Sequence, residues 1–163
     1  MKIRPVEARD LPAILEFWNP IIRDTTIIFS SEERTLDSLW AMITARRAAG
    51  REMLVAEAED GAVLGIATYD QFRGGLGYVH AMEHTVLLAP EARGRGIGRA
   101  LMSAIEDHAR VKGAHTMVAA VDATNTGGIG FHEVIGYERV GFLPQSGRKF
   151  GRWLDLVLLQ KIL

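Results

Sequence analysis

The segment Arg93-Gly94-Arg95-Gly96-Ile97-Gly98-Arg99 places three alternating glycines among three arginines, just ahead of an amphipathic run through Ile97, Leu101, Ile105 and His108. Glycines let a backbone approach a ligand closely, and a helix N-terminus presents unpaired N–H groups carrying about half a positive charge. An anionic group such as a pyrophosphate suits that chemistry. A Rossmann fingerprint starting at Gly94 needs Gly or Ala at Arg99, and one starting at Gly96 needs it at Leu101; both registers fail. A Walker loop needs Gly-Lys followed by Ser or Thr, which does not occur, so nucleotide hydrolysis is disfavoured.

Two further constellations carry chemistry. Arg73, just beyond an expected hairpin, can grip a carboxylate with two parallel N–H bonds. His80-Ala81-Met82-Glu83-His84 spells His-x-x-Glu-His, a zinc hydrolase signature that works only on a helix and with a third ligand. Here glycines precede the segment, and Thr85-Val86-Leu87-Leu88 with Pro90 follow it. A strand is therefore expected, with Glu83 pointing away from both histidines. The absence of cysteine excludes disulfides, thiolate ligands and a cysteine acyl-enzyme.

The elements that must position these residues follow from periodicity. Ile3 to Val6 reads as a strand. Asp10 is placed to cap a helix that carries Ile14, Leu15 and Trp18 on one face and is expected to stop near Pro20. Thr35 can cap a second helix through Leu36, Leu39, Trp40 and Ile43, ending before Gly50. Met53 to Glu59 and Ala62 to Tyr69 flank Asp60-Gly61, a dipeptide suited to a type I′ hairpin turn. Glu83 to Leu88 and Met117 to Val121 read as strands, Ile129 to Ile135 as a short helix ending at Gly136, and Val140 to Phe142 with Trp153 to Gln160 as two closing strands. The order implies an α/β (α+β) chain with a mixed sheet and helices on its faces.

Composition narrows the partners. The 163 residues fit one domain over 1–163. With 48% hydrophobic and 24% charged residues the chain is ordinary globular material, and a net charge of −1 gives no overall attraction to nucleic acid or an anionic membrane. The start Met1-Lys2-Ile3-Arg4-Pro5 lacks a signal-like apolar segment, so a soluble cytoplasmic protein is expected.

Arg93-x-x-Gly96-x-Gly98, at a strand-to-helix junction, resembles the acyl-CoA loop of the GCN5-related N-acetyltransferases (GNAT). Asn125 followed by Phe131-His132-Glu133-Val134-Ile135-Gly136-Tyr137 is similar to that family's second CoA-binding segment. Over nearly the whole chain, Thr25-Thr26, Arg73, Glu83-His84-Thr85-Val86, His132 and Lys149-Phe150-Gly151-Arg152-Trp153-Leu154-Asp155 resemble the phosphinothricin and methionine sulfoximine N-acetyltransferase branch. The resemblance implies the GNAT fold, a twisted, mostly antiparallel mixed sheet flanked by helices on both faces. It also implies direct acetyl transfer from acetyl-CoA to the α-amine of a small amino acid or analogue, with no metal.

By the same resemblance Glu83 is the base and His132 a proton carrier. The backbone N–H of Val86 faces the thioester oxygen, Leu88 pairs with the pantetheine arm, Gly94 to Arg99 take the pyrophosphate, and Arg93 and Asn125 also bind the cofactor. Arg73 is the carboxylate clamp; Phe29, Lys149 and Trp153 line the acceptor pocket; the chain is a homodimer. Two alternatives stand beside this reading: a CoA-binding module without turnover, and the zinc hydrolase through His80, Glu83 and His84.

Overall fold

The computed structural model describes residues 1–163. β1 (Lys2–Pro5) leads through a short turn into α1 (Leu11–Asp24) and α2 (Leu36–Ala48). The sheet continues with β2 (Met53–Glu57), β3 (Val63–Gln71) and β4 (Ala81–Leu88), followed by α3 (Ile97–Val111), β5 (Thr116–Asp122), α4 (Thr126–Val134), β6 (Glu138–Lys149) and β7 (Arg152–Ile162). Its order is β1-β2-β3-β4-β5-β7-β6. Every neighbouring pair is antiparallel except β4–β5, which is parallel.

That parallel pair is short. Ala81, Met82 and Glu83 oppose Thr116, Met117 and Val118, and no pairing continues beyond. From His84 onward the two strands part, opening a wedge in the middle of the sheet.

Strand alternation sorts side chains onto two faces. The Thr68 hydroxyl accepts a hydrogen bond from Arg46 of α2 at 2.7 Å, whereas the Tyr69 hydroxyl meets His108 of α3 at 3.0 Å. The α2 and α3 helices therefore cover opposite faces. Since Glu83 lies opposite Asp70 and His84 opposite Tyr69 in the β3–β4 register, Glu83 faces α2 and His84 faces α3. The core fills both layers, with Ile14, Leu39, Ile43, Met53, Ile66, Leu101, Ile105, Met117 and Leu159 all inaccessible to solvent.

Several local expectations need correction. α1 runs four residues past Pro20, because the buried Ile21 and Ile22 that follow outweigh one lost backbone bond. Asp10 occupies the cap position but makes no side-chain cap bond; its carboxylate pairs with Arg4 at 2.8 Å instead. Thr35 caps α2 as expected, accepting from the Ser38 N–H. In the β2–β3 connection only Gly61 has positive φ, and its N–H donates to the Ala58 carbonyl; this is not a type I′ turn. Consecutive positive φ values occur instead at Phe150 and Gly151, between β6 and β7. β6 is also much longer than the short run its apolar residues suggested, while β7 extends only slightly beyond Trp153 to Gln160.

Candidate active site

A cavity of about 570 Å³ lies in the wedge. Its walls include Glu83 through Leu88 of β4, Ala119 to Val121 of β5, and Asn125, Phe131 and His132 from α4 and its cap. Arg93, Gly94 and Gly98 close one end, and Ile27 and Ile28 from the α1–α2 connection lie across another side. No strand borders β4 on its β5 side past Glu83, so an extended ligand can lie along it.

The α3 end of the cavity is built for an anion. Gly94 and Gly96 have φ of +70° and +77°, and nothing lies near the Cβ that either could carry. The requirement for glycine there is the left-handed backbone, not lack of space. Gly96 is the N-cap of α3 and has no side chain to take up the first-turn N–H groups, so those donors remain available to a ligand. Gly98 differs: a Cβ there would meet Phe131 at 3.4 Å. Arg93, Arg95 and Arg99 are exposed; Arg99 borders a separate cleft with Glu106 and Lys161.

Glu83 sits half-buried on the α2 face. Burial pushes its carboxyl up, an effect opposed by Arg46 and reinforced by Asp70. Arg46 is a residue that the sequence reading missed. Its Nε lies 3.9 Å from Asp70 and has no hydrogen-bond partner, and burial lowers its pKa.

On the opposite face His84 and His132 are both buried, their Nε2 atoms 3.1 Å apart. The His132 Nδ1 is 2.7 Å from the Gly128 carbonyl. The same α4 turn is capped by Asn125, whose Oδ1 accepts from the Gly128 N–H at 2.9 Å. The His-x-x-Glu-His segment is thus extended, with His84 and Glu83 on opposite faces, and His80, ahead of the strand, bonds the Gly113 carbonyl. Helical metal ligation by this motif is incompatible with that geometry.

Four residues expected around the acceptor lie off the cavity wall. Arg73 is exposed, its guanidinium 5.3 Å from the Tyr78 ring centre. Trp153 is exposed under Arg148, 4.5 Å away. Phe29 packs against Gly147, where an added Cβ would run into its ring. Lys149 is 3% exposed and donates to the carbonyls of Ile22, Thr25 and Ile28, which engages all three ammonium protons. The Thr26 hydroxyl, also off the wall, donates to the buried Asp122 carboxylate at the end of β5.

The model of the family described as "Acetyltransferase (GNAT) domain" matches residues 3–158. The chain belongs to the GNAT family. It is 40% identical over 158 residues to the L-methionine sulfoximine/L-methionine sulfone acetyltransferase of Pseudomonas paraeruginosa, covering 97% of this chain and 92% of that one. The ribosomal-protein-alanine N-acetyltransferase of Brucella melitensis superposes with a TM-score of 0.95 at 39% identity, with both chains fully covered. A GNAT phosphinothricin acetyltransferase from Sinorhizobium meliloti, solved with acetyl-CoA, superposes with a TM-score of 0.93 at 30% identity over 99% of this chain and 88% of that one.

This GNAT chain is an N-acetyltransferase that uses acetyl-CoA. Its residues fit that cosubstrate: the uncapped start of α3 suits a pyrophosphate, and the unpaired length of β4 suits a pantetheine arm. Acetyl-CoA supplies the activated acyl group. No helix is long and apolar enough to cross a membrane.

Proposed function

We propose that residues 1–163 form one acetyltransferase domain, acting in the cytoplasm, whose acceptor is the α-amino group of a small amino acid or analogue. Methionine sulfoximine, methionine sulfone and phosphinothricin are the compounds to try first. The observation that carries this reading is the half-buried Glu83 carboxylate on the cavity wall, at the rung where β4–β5 pairing ends and the strand edge is left free for the donor. The names of the relatives support the acceptor class.

The acceptor ammonium gives one proton to Glu83, and its nitrogen attacks the thioester carbonyl while the backbone N–H of Val86 faces the oxygen. The new C–N bond forms, the C–S bond breaks, and the thiolate takes the second amine proton on the His132 side. Glu83 then releases its proton to solvent. With no cysteine to hold an acyl group, transfer is direct within a ternary complex. Gly94 to Arg99, with Arg93, hold the pyrophosphate; Leu88 pairs with the pantetheine arm; and Asn125 contributes to the cofactor site by shaping the first turn of α4. Arg73, exposed just past the end of β3, takes the acceptor carboxylate.

Thiol release measured with purified protein, acetyl-CoA and a panel of amino acids should show turnover with at least one of the three named compounds. Reaction with an alanine-terminated peptide or a polyamine, and with none of these three, would reject the acceptor class. CoA binding without turnover on any amine would reject catalysis itself.

The active unit is a homodimer. β6 is an edge strand, and it and the adjoining turn and strand expose Val140, Phe142, Leu143, Phe150 and Trp153. A patch of this kind on an edge invites a second copy. Sedimentation across the micromolar range should give twice the chain mass, with Phe142→Glu shifting it to monomer. A parent monomeric throughout that range overturns the assembly.

A further inference from the structure

In the sequence His84 belongs to a metal-like motif and to a family-like segment and has no role of its own, yet the fold places it against His132. The two rings are nearly parallel, with centroids 5.0 Å apart, and Tyr137 lies edge-on to both. The proton positions can be deduced. A carbonyl oxygen only accepts, so the His132 Nδ1, 2.7 Å from the Gly128 carbonyl, carries a proton. In the neutral ring its Nε2 then holds a lone pair. The facing Nε2 of His84, 3.1 Å away, must supply the hydrogen between them. His84 Nδ1 is consequently bare, and it is buried with no partner.

We propose that His84 is the positioning residue for His132. It occupies the only lone pair that His132 possesses, fixes the tautomer of both rings and keeps the pair neutral through the working pH range. This rests on the acetyl-transfer reading above and refines it: with both nitrogens engaged, His132 neither takes the amine proton, a task left to Glu83 across the wedge, nor gives one to the thiolate, which the amine protonates directly; the paired imidazoles hold that wall of the cavity in place.

The surroundings agree. A proton added to the pair has to settle on the bare His84 nitrogen, where no acceptor awaits it. Burial and the neighbouring His132 push the His84 pKa down to about 3. Burial also lowers that of His132, with the Gly128 carbonyl and Glu106 opposing. The other groups on this face are already matched to one another: Tyr137 donates to Glu106 at 2.9 Å, and Lys161 of β7 donates to the second Glu106 oxygen at 2.6 Å. Charge on Glu106 is thus answered by Lys161 and does not call for an imidazolium.

Two substitutions separate positioning from packing. Gln places an amide N–H about where His Nε2–H lies, while Phe keeps the ring and removes the donor. On ¹⁵N-histidine-labelled protein, His132 should show a protonated Nδ1 and a bare Nε2 that do not titrate between about pH 5 and 8. In His84→Phe, His132 should titrate inside that window, and kcat should fall by about tenfold or more with the acetyl-CoA KM unchanged. His84→Gln should keep His132 silent and retain most of kcat. A packing role predicts the opposite order, because Phe is the better-tolerated buried side chain.

A protonated Nε2 or a titrating His132 in the parent overturns the proposal, as does a Phe variant more active than the Gln variant. If no amine is acetylated, the nitrogen signals still decide the pairing, so the failure of the acetyl-transfer reading is separable. If His84→Phe does not fold, the parent spectrum and His84→Gln decide.

Discussion

Glu83→Gln lowers kcat by about 10²–10⁴-fold while leaving the KM for acetyl-CoA nearly unchanged. The expectation rests on Glu83 being the ionisable cavity-lining residue on the α2 face, at the last rung of β4–β5 pairing. Burial raises its pKa, which makes the carboxylate a stronger base near neutrality. The sign of the pH dependence follows. The active form is the ionised one, so kcat/KM rises with pH through a limb lying above the ordinary carboxyl range. Gln abolishes that limb along with most of the rate. A loss below threefold in stopped-time thiol-release assays moves the base role to water. Arg46→Met tests the environment of the same group: without the guanidinium that opposes the effect of burial, the limb moves to higher pH.

Lys149→Met is expected to combine loss of stability with loss of acceptor binding. The ammonium is buried and its protons bind three carbonyls contributed by the end of α1 and the connection after it. Each carbonyl left unpaired costs roughly 1–3 kcal/mol, so a loss of about 3 kcal/mol is a fair lower figure. In a chain of this size that lowers Tm by about 6–12 °C. The same connection carries Ile27 and Ile28 onto the cavity wall, and its release should raise the acceptor KM by about tenfold while the acetyl-CoA KM stays put. Arg cannot restore the cage, since a planar fork does not converge on three carbonyls as an ammonium does. Calorimetry and steady-state kinetics on Met and Arg variants check both effects. An unchanged acceptor KM would show that the Thr25–Phe29 segment holds its place without Lys149.

Much of the sheet and the glycine-rich turn into α3 was legible because their signals are local. The amphipathic period of α3 lies in adjacent residues, as do the glycines that let its first turn approach an anion. Thr35 announced the start of α2 in the same way. Strand alternation even foretold that Glu83 and His84 point apart. What stayed hidden depends on contacts between residues distant in sequence. Nothing near Lys149 indicates that carbonyls more than a hundred positions earlier will surround it, so a lysine in a basic, aromatic segment reads as a substrate ligand. His84 and His132 are separated by 48 residues, and only the packing of α4 against the neighbouring strands of the sheet makes them partners. Pro20 misled for a related reason: a local rule about helix interiors was overridden by burial of Ile21 and Ile22, which is a tertiary effect. Arg73 was visible as a fork beside a glycine-rich turn, yet it lies exposed and off the cavity wall, whereas Arg46 carried no signal of its own.

The three-rung seam between β4 and β5 has a mechanical consequence. The sheet behaves as two panels, β1-β2-β3-β4 and β5-β7-β6, hinged at one corner and open along the rest of their shared border. Acetyl-CoA bound in that gap would act as a removable spar bracing one panel against the other. Loading the donor should therefore stiffen backbone far from any atom it touches, and the amide hydrogens along the inner edges of both panels should exchange more slowly with acetyl-CoA present. The acceptor then meets a frame already drawn taut, which gives the donor a structural reason to enter first.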